Sequence, residues 1–102
     1  MARFDVHRNL GEPRRVPYLL DIQSDVLSAL RSRVVVPLVP LGRFGKPMTR
    51  LNPVFEIDGT SHVMATTDLA GVDSRMLGRI VASLAGERDR ITRAVDFLLQ
   101  GF

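Results

Sequence analysis

Val54-Phe55-Glu56-Ile57-Asp58-Gly59-Thr60-Ser61-His62-Val63-Met64-Ala65-Thr66 decides the fold. Val54, Glu56 and Asp58 alternate with Phe55 and Ile57, the period of a strand with one face inward. Asp58-Gly59 is a hairpin signal, because glycine accepts the positive φ that two-residue turns require. Ser61 to Thr66 then reads as the returning strand. Upstream, Arg33-Val34-Val35-Val36-Pro37-Leu38 is β-branched and apolar on both faces, as a central strand is. Pro37 has no N–H for a ladder, so this strand is expected to end or bulge there. Tyr18 to Leu27 reads as one long strand ending near Ser24-Asp25. Phe4 and Val6 alternate with Arg3, Asp5 and His7 in a first strand, and Asn9-Leu10-Gly11-Glu12-Pro13 is a turn signal. Pro40 to Pro47, with Gly42 and Gly45, reads as a loop. Short strands at close spacing imply a mainly β (α+β) chain built on a small antiparallel barrel.

The last third changes period. Ile91, Ala94, Val95, Leu98 and Leu99 fall on one face of a helix. Glu87 and Asp89 complement its dipole, and Gly101 is its expected stop. Leu77, Ile80, Val81 and Leu84 also have helical spacing, weakened by Gly78. No repeat, low-complexity tract or linker divides the 102 residues, so residues 1–102 are expected to form one domain.

Composition narrows the function. Apolar residues make up 45% and charged residues 25%, an ordinary globular balance. There is no cysteine, which excludes disulfides, thiolate metal sites and a cysteine nucleophile. No run approaches the ~20 apolar residues of a membrane helix. The start Met-Ala-Arg-Phe-Asp-Val lacks an apolar signal core, so a cytoplasmic protein is expected. Fourteen cations against eleven anions give +3, and Lys46 is the one lysine. Arginine forks suit phosphates and carboxylates, but a GC-rich genome produces the same bias. Residues 74–93 carry a mild basic excess, Arg75, Arg79, Arg88, Arg90 and Arg93 against Glu87 and Asp89. That falls short of the stripe of a dedicated DNA binder.

Catalytic patterns are sparse. His7 and His62 have no partner at metal-ligand spacing, so no metal or other cofactor is expected. Asp21 and Asp25 are read as solvated or hydrogen-bonded carboxylates rather than an acid/base pair. Thr66-Thr67-Asp68 reads as a turn whose Asp68 carboxylate accepts backbone N–H groups. No Gly-x-Ser-x-Gly, P-loop or dinucleotide fingerprint occurs. These observations point away from an enzyme. Phe102, just past the final helix, reads either as a packed or fraying end or as a docking tip.

Taken together, several segments resemble the CcdB toxin family. Asp21-Ile22-Gln23-Ser24-Asp25-Val26-Leu27 is similar to its D-V-Q-S-D signature. Val34-Val35-Val36-Pro37-Leu38, Pro53-Val54-Phe55-Glu56-Ile57 and Thr66-Thr67-Asp68-Leu69-Ala70-Gly71-Val72 follow in the family's order, and a helix and a tail with Gly101 close the match. The resemblance implies an SH3-like CcdB/MazF-type barrel with a C-terminal helix, and a Leu77–Leu84 segment less helical than its spacing suggests. It implies a cytoplasmic, non-enzymatic homodimer that binds the A subunit of DNA gyrase and traps the cleaved gyrase–DNA complex. It further implies neutralisation by a CcdA-type antitoxin with an acidic arm, and operator DNA binding only as the toxin–antitoxin complex.

Carried over by position, the gyrase-binding residues are Gln100, Gly101, Phe102, Ser24, Val26, Leu27, Asp96 and Leu99. Three depart from the best-known member: Gln100 replaces Trp, Phe102 replaces Ile and Asp96 replaces Asn. Met64, Leu69 and the final helix are the apolar supply expected for the dimer. Two alternatives stand beside this reading. One is a MazF-like endoribonuclease toxin using Arg43, Thr49 and Arg50. The other is a relic that binds antitoxin but not gyrase.

Overall fold

β3 (Ser32–Pro40) is the strand on which the others are assembled. A computed structural model describes all 102 residues. On one edge β3 pairs with β2 (Tyr18–Asp21), which pairs with β1 (Asp5–Asn9), which pairs with β7 (Leu77–Ser83). On its other edge β3 pairs with two strands in succession. Ser32 to Val35 meet β6 (Ala70–Asp73), and Leu38 to Pro40 meet β5 (Thr60–Met64). The hairpin partner β4 (Val54–Ile57) completes a seven-stranded sheet in which every pairing is antiparallel. The sheet curls into a half-barrel closed by α2 (Arg88–Gln100). A mainly β, SH3-like barrel with a C-terminal helix is what the sequence implies.

The core lies between the sheet's concave face and α2. Val6, Leu20, Val36, Leu38, Phe55, Ile57 and Met64 meet Ile91 and Ala94 there. Burying Ile91 alone contributes about 2 kcal/mol. Leu19, Val35 and Leu77 form a smaller cluster with Val16 and Val72 packed against it. Asp58 and Gly59 turn the β4–β5 hairpin with φ of 53° and 78°, the paired positive values expected of this turn.

Four local expectations are corrected. The long strand over Tyr18–Leu27 stops at Asp21, whose side chain turns inward; Asp25–Leu27 form a 3₁₀ turn. β3 runs straight through Pro37. The Pro37 carbonyl accepts from Ala65 N at 2.9 Å, so its edge faces the junction between β6 and β5, where no donor is required. Within the Pro40–Pro47 loop, Leu41–Phe44 close one helical turn, α1. In Thr66–Asp68 the turn forms, but the hydroxyl of Thr66 makes the hydrogen bonds, to the Leu51 and Met64 carbonyls, while Asp68 is exposed.

Leu77–Ser83 is a strand, not a helix, and Leu84 follows it. Its helical spacing comes from two register shifts against β1, between Val6 and His7 and between His7 and Asn9. Each shift breaks the two-residue alternation. It leaves Leu77 and Leu84 buried and Ile80 half exposed. The same irregularity turns His7 inward, where Nδ1 donates to the Gly78 carbonyl at 3.0 Å and Nε2 has no partner.

The Asp21 and Arg33 side chains are fully buried and paired at 2.6 Å. Removing one partner strands a buried charge, at about 3–5 kcal/mol. Asp21→Asn is therefore expected to lower stability by that order in urea unfolding, whereas Asp21→Leu with Arg33→Met loses markedly less.

At the β6 exit, Arg75 donates from its backbone N at 2.9 Å and its guanidinium at 3.0 and 3.1 Å to Asp73. The side-chain bonds and then the backbone bond hold the Asp73 carboxyl down from 3.8 to about 2. Such a depressed acid adds stability above its ordinary value and loses it as pH falls through the folded value. An NMR titration should place the Asp73 midpoint near 2, and Arg75→Gln, which keeps the backbone bond, should raise it toward the ordinary carboxylate range without restoring it fully.

Candidate functional site

Ser24, Val26 and Leu27 ride on a short loop whose anchors are buried. Asp21 Oδ2 accepts from Arg33 Nε and Nη2, and Asp21 Oδ1 accepts from Gln23 N. Gln23 Oε1 accepts from Val34 N, and its Nε2 donates to the Leu27 carbonyl. Ser24 Oγ accepts from Val26 N, and Asp25 Oδ1 accepts from Arg3 N. Asp21 and Gln23 are directed into the fold, while Ser24 and Asp25 bond locally at the surface, and Val26 is left 90% exposed and Leu27 half exposed.

Asp96, Leu99, Gln100, Gly101 and Phe102 lie at the far end of α2. Gly101 caps the helix in the left-handed region, φ 81°, with its N–H bonded to the Phe97 carbonyl. Leu99 is 69% exposed and Phe102 76% exposed. Ser24 and Val26 share a cavity of about 350 Å3 with Ala85 and Arg88, at the helix start. With 13 residues in α2, the two groups stand roughly 20 Å apart. The structure thus holds each group together but separates one from the other within a single chain.

The residues set aside for RNA cleavage divide as well. Arg43 lines a cavity of about 330 Å3 with Arg15, Val39, Phe44 and Asp68. Thr49 and Arg50 line another, of about 240 Å3, with Arg90 and Arg93 of α2. The sequence reading missed Arg15, Asp68, Arg90 and Arg93 as neighbours, because only the fold of β3 and α2 brings them to these grooves. Met64 is also reassigned: it is fully buried in its own core and cannot supply a dimer face, while Leu69 packs partly against that core. No group of three or more His, Asp or Glu side chains is placed to hold a metal ion. No helix is long and apolar enough to cross a membrane.

A curled antiparallel half-barrel with one packed helix defines a small α+β domain of the CcdB/MazF-like kind. Residues 3–101 match the family described as CcdB protein, and the chain belongs to the CcdB family of toxins. Among solved structures, it superposes on an endoribonuclease from a mycobacterial species with a TM-score of 0.73 and 13% identity, covering 97% of this chain and 90% of that one. A second endoribonuclease from a mycobacterial species, in complex with its cognate antitoxin, gives 0.76 and 15%, covering 97% and 94%. These likenesses establish the shared fold. They also correct the expectation of a non-enzymatic protein, since both structures bearing this architecture are named as RNA-cleaving enzymes.

Gly101 has open space around its Cα, so a side chain there meets no neighbour and only the backbone conformation resists it. Gly101→Ala should cost about 1 kcal/mol of stability, measured by thermal unfolding, through loss of the left-handed cap.

Proposed function

We propose that this protein is the toxin of a toxin–antitoxin pair that binds the A subunit of DNA gyrase and traps the enzyme with its DNA cut. The observation that supports this most is the outward apolar tip at Leu99 and Phe102 on a capped helix. Leu99 rides on the helix, so its backbone is fixed before contact and does not have to be ordered on binding. Val26 and Leu27 supply a second apolar patch on a hydrogen-bonded 3₁₀ turn. A target touching both patches spans roughly 20 Å along one chain or meets two copies. A twofold homodimer offers the latter to a twofold partner. The +3 charge favours rapid capture of an acidic CcdA-type antitoxin arm. Operator DNA is then bound by the toxin–antitoxin complex rather than by the toxin alone.

Gln100 lacks the ring that a cation–π contact requires, a loss of ~0.5–2 kcal/mol per tail. Phe102 keeps an aromatic surface two residues on. Supercoiled plasmid, gyrase, ATP and this protein should yield linear DNA after detergent and protease. Phe102→Ala and Val26→Arg should abolish most of it. Gln100→Trp should lower the concentration needed by about fivefold, the equivalent of about 1 kcal/mol. Undiminished supercoiling with no linear product at micromolar protein would overturn gyrase trapping.

A second reading, an endoribonuclease toxin, is supported by the groove of Arg15, Arg43 and Asp68. Strand cleavage by the ribose 2′-hydroxyl needs a proton acceptor and cations for the developing charge, and this groove contains both. Incubation with total RNA separates the two: cleavage lost in Arg43→Gln favours the second reading, and intact RNA removes it.

A further inference from the structure

Arg50, Arg90 and Arg93 converge on a cavity of about 240 Å3 between the loop after α1 and the helix α2, with Thr49 and Pro53 completing its walls. Two of the three guanidinium groups are held flat. Arg50 lies over the Phe97 ring at 4.6 Å, and Arg90 over the Phe55 ring at 4.8 Å. Arg90 also donates to the Val54 carbonyl and to Glu87, each at 3.2 Å. Stacking leaves the edge N–H groups of Arg50 free for a ligand, and the Arg93 guanidinium makes no hydrogen bond within the fold, whereas both terminal nitrogens of Arg90 already donate. Glu87 is the one carboxylate paired to these arginines, and Arg50 and Arg93 make no ion pair. Three cations less one anion leave a local excess of +2 around the cavity.

We infer that this cavity is a phosphate-binding site, for the phosphate of a nucleotide, either free or within a nucleic-acid strand. Planar forks with a nearby hydroxyl match the oxygens of a phosphate, which accept paired N–H bonds. An acidic peptide carries the same sign of charge but needs apolar anchors as well. Of the five lining residues only Pro53 is apolar, and it is buried. Gyrase trapping does not use these side chains; Thr49 and Arg50, expected from the sequence to serve RNA cleavage, line this cavity and not the Arg15–Arg43 groove.

The test is fluorescence anisotropy of a labelled 12-residue thymidylate strand on the full chain, repeated across a salt series. Arg50→Gln with Arg93→Gln should weaken binding at least tenfold and reduce the salt slope by about one to one and a half. Arg50→Lys with Arg93→Lys keeps the charge and loses the fork, so it should weaken binding while keeping most of the slope. Arg8→Gln with Arg79→Gln removes the same charge from a separate cleft, and its binding should stay within about twofold of the parent. Pyrophosphate and ADP are the competitors: displacement by ADP alone at low micromolar concentration assigns a free nucleotide, and displacement only by unlabelled strand assigns a nucleic acid. No binding by the parent protein, equal losses in the Arg8/Arg79 variant, or displacement by polyglutamate as effective as by pyrophosphate would each overturn the site.

Discussion

The buried pair of Asp21 and Arg33 is the contact on which the candidate surface depends. It joins the last residue of β2 to the second residue of β3 inside the protein. A charge pair there is not the cheapest way to fill the space, because apolar residues of similar volume avoid the desolvation cost. What the pair adds is direction. The free oxygen of Asp21 reaches Gln23 N, and Gln23 in turn bonds β3 and the Leu27 carbonyl. One carboxylate therefore sets the path of the whole segment from Asp21 to Leu27. Arg33 Nη1 is buried without a partner, a further cost borne by this arrangement.

The same fold presents two kinds of surface. At the C-terminal end of α2 and on the Val26 loop it offers exposed hydrocarbon. Along the loop side of α2 and beside β3 it offers arginines in grooves. Architecture alone does not choose between them, since unrelated chemistries are grafted onto one barrel. The family membership identifies the chain as a toxin, whereas two solved structures of like fold are named endoribonucleases. What separates the readings physically is whether the target is gripped by apolar contact or by charge.

Much of the architecture was legible because it rests on local rules. The Asp58-Gly59 turn needs only two residues to announce itself, and Ile91, Ala94, Val95 and Leu98 carry their helix on one face. The helical spacing of Leu77–Leu84 misleads because two bulges against β1 erase the alternation, and a bulge depends on a partner strand far away in sequence. Pro37 misleads for a related reason: whether its missing donor matters depends on which neighbour faces it. Among site residues, the exposure of Val26 and Phe102 agrees with a contact role. Their separation along α2, and the meeting of Arg50 with Arg93, follow from tertiary packing that no spacing rule encodes.

The junction at Pro37 also divides the sheet mechanically. Because β3 is served on one edge by β6 and then by β5, the two neighbours share a strand but no pairing with each other. β6 is held by four register pairs to β3, and none of its residues is fully buried. The β4–β5 hairpin, by contrast, carries Phe55, Ile57, Val63 and Met64 into the core. β6 is the more shallowly anchored of the two neighbours: it can part from β3 without breaking a single pair of the β5 ladder, which begins only beyond the proline.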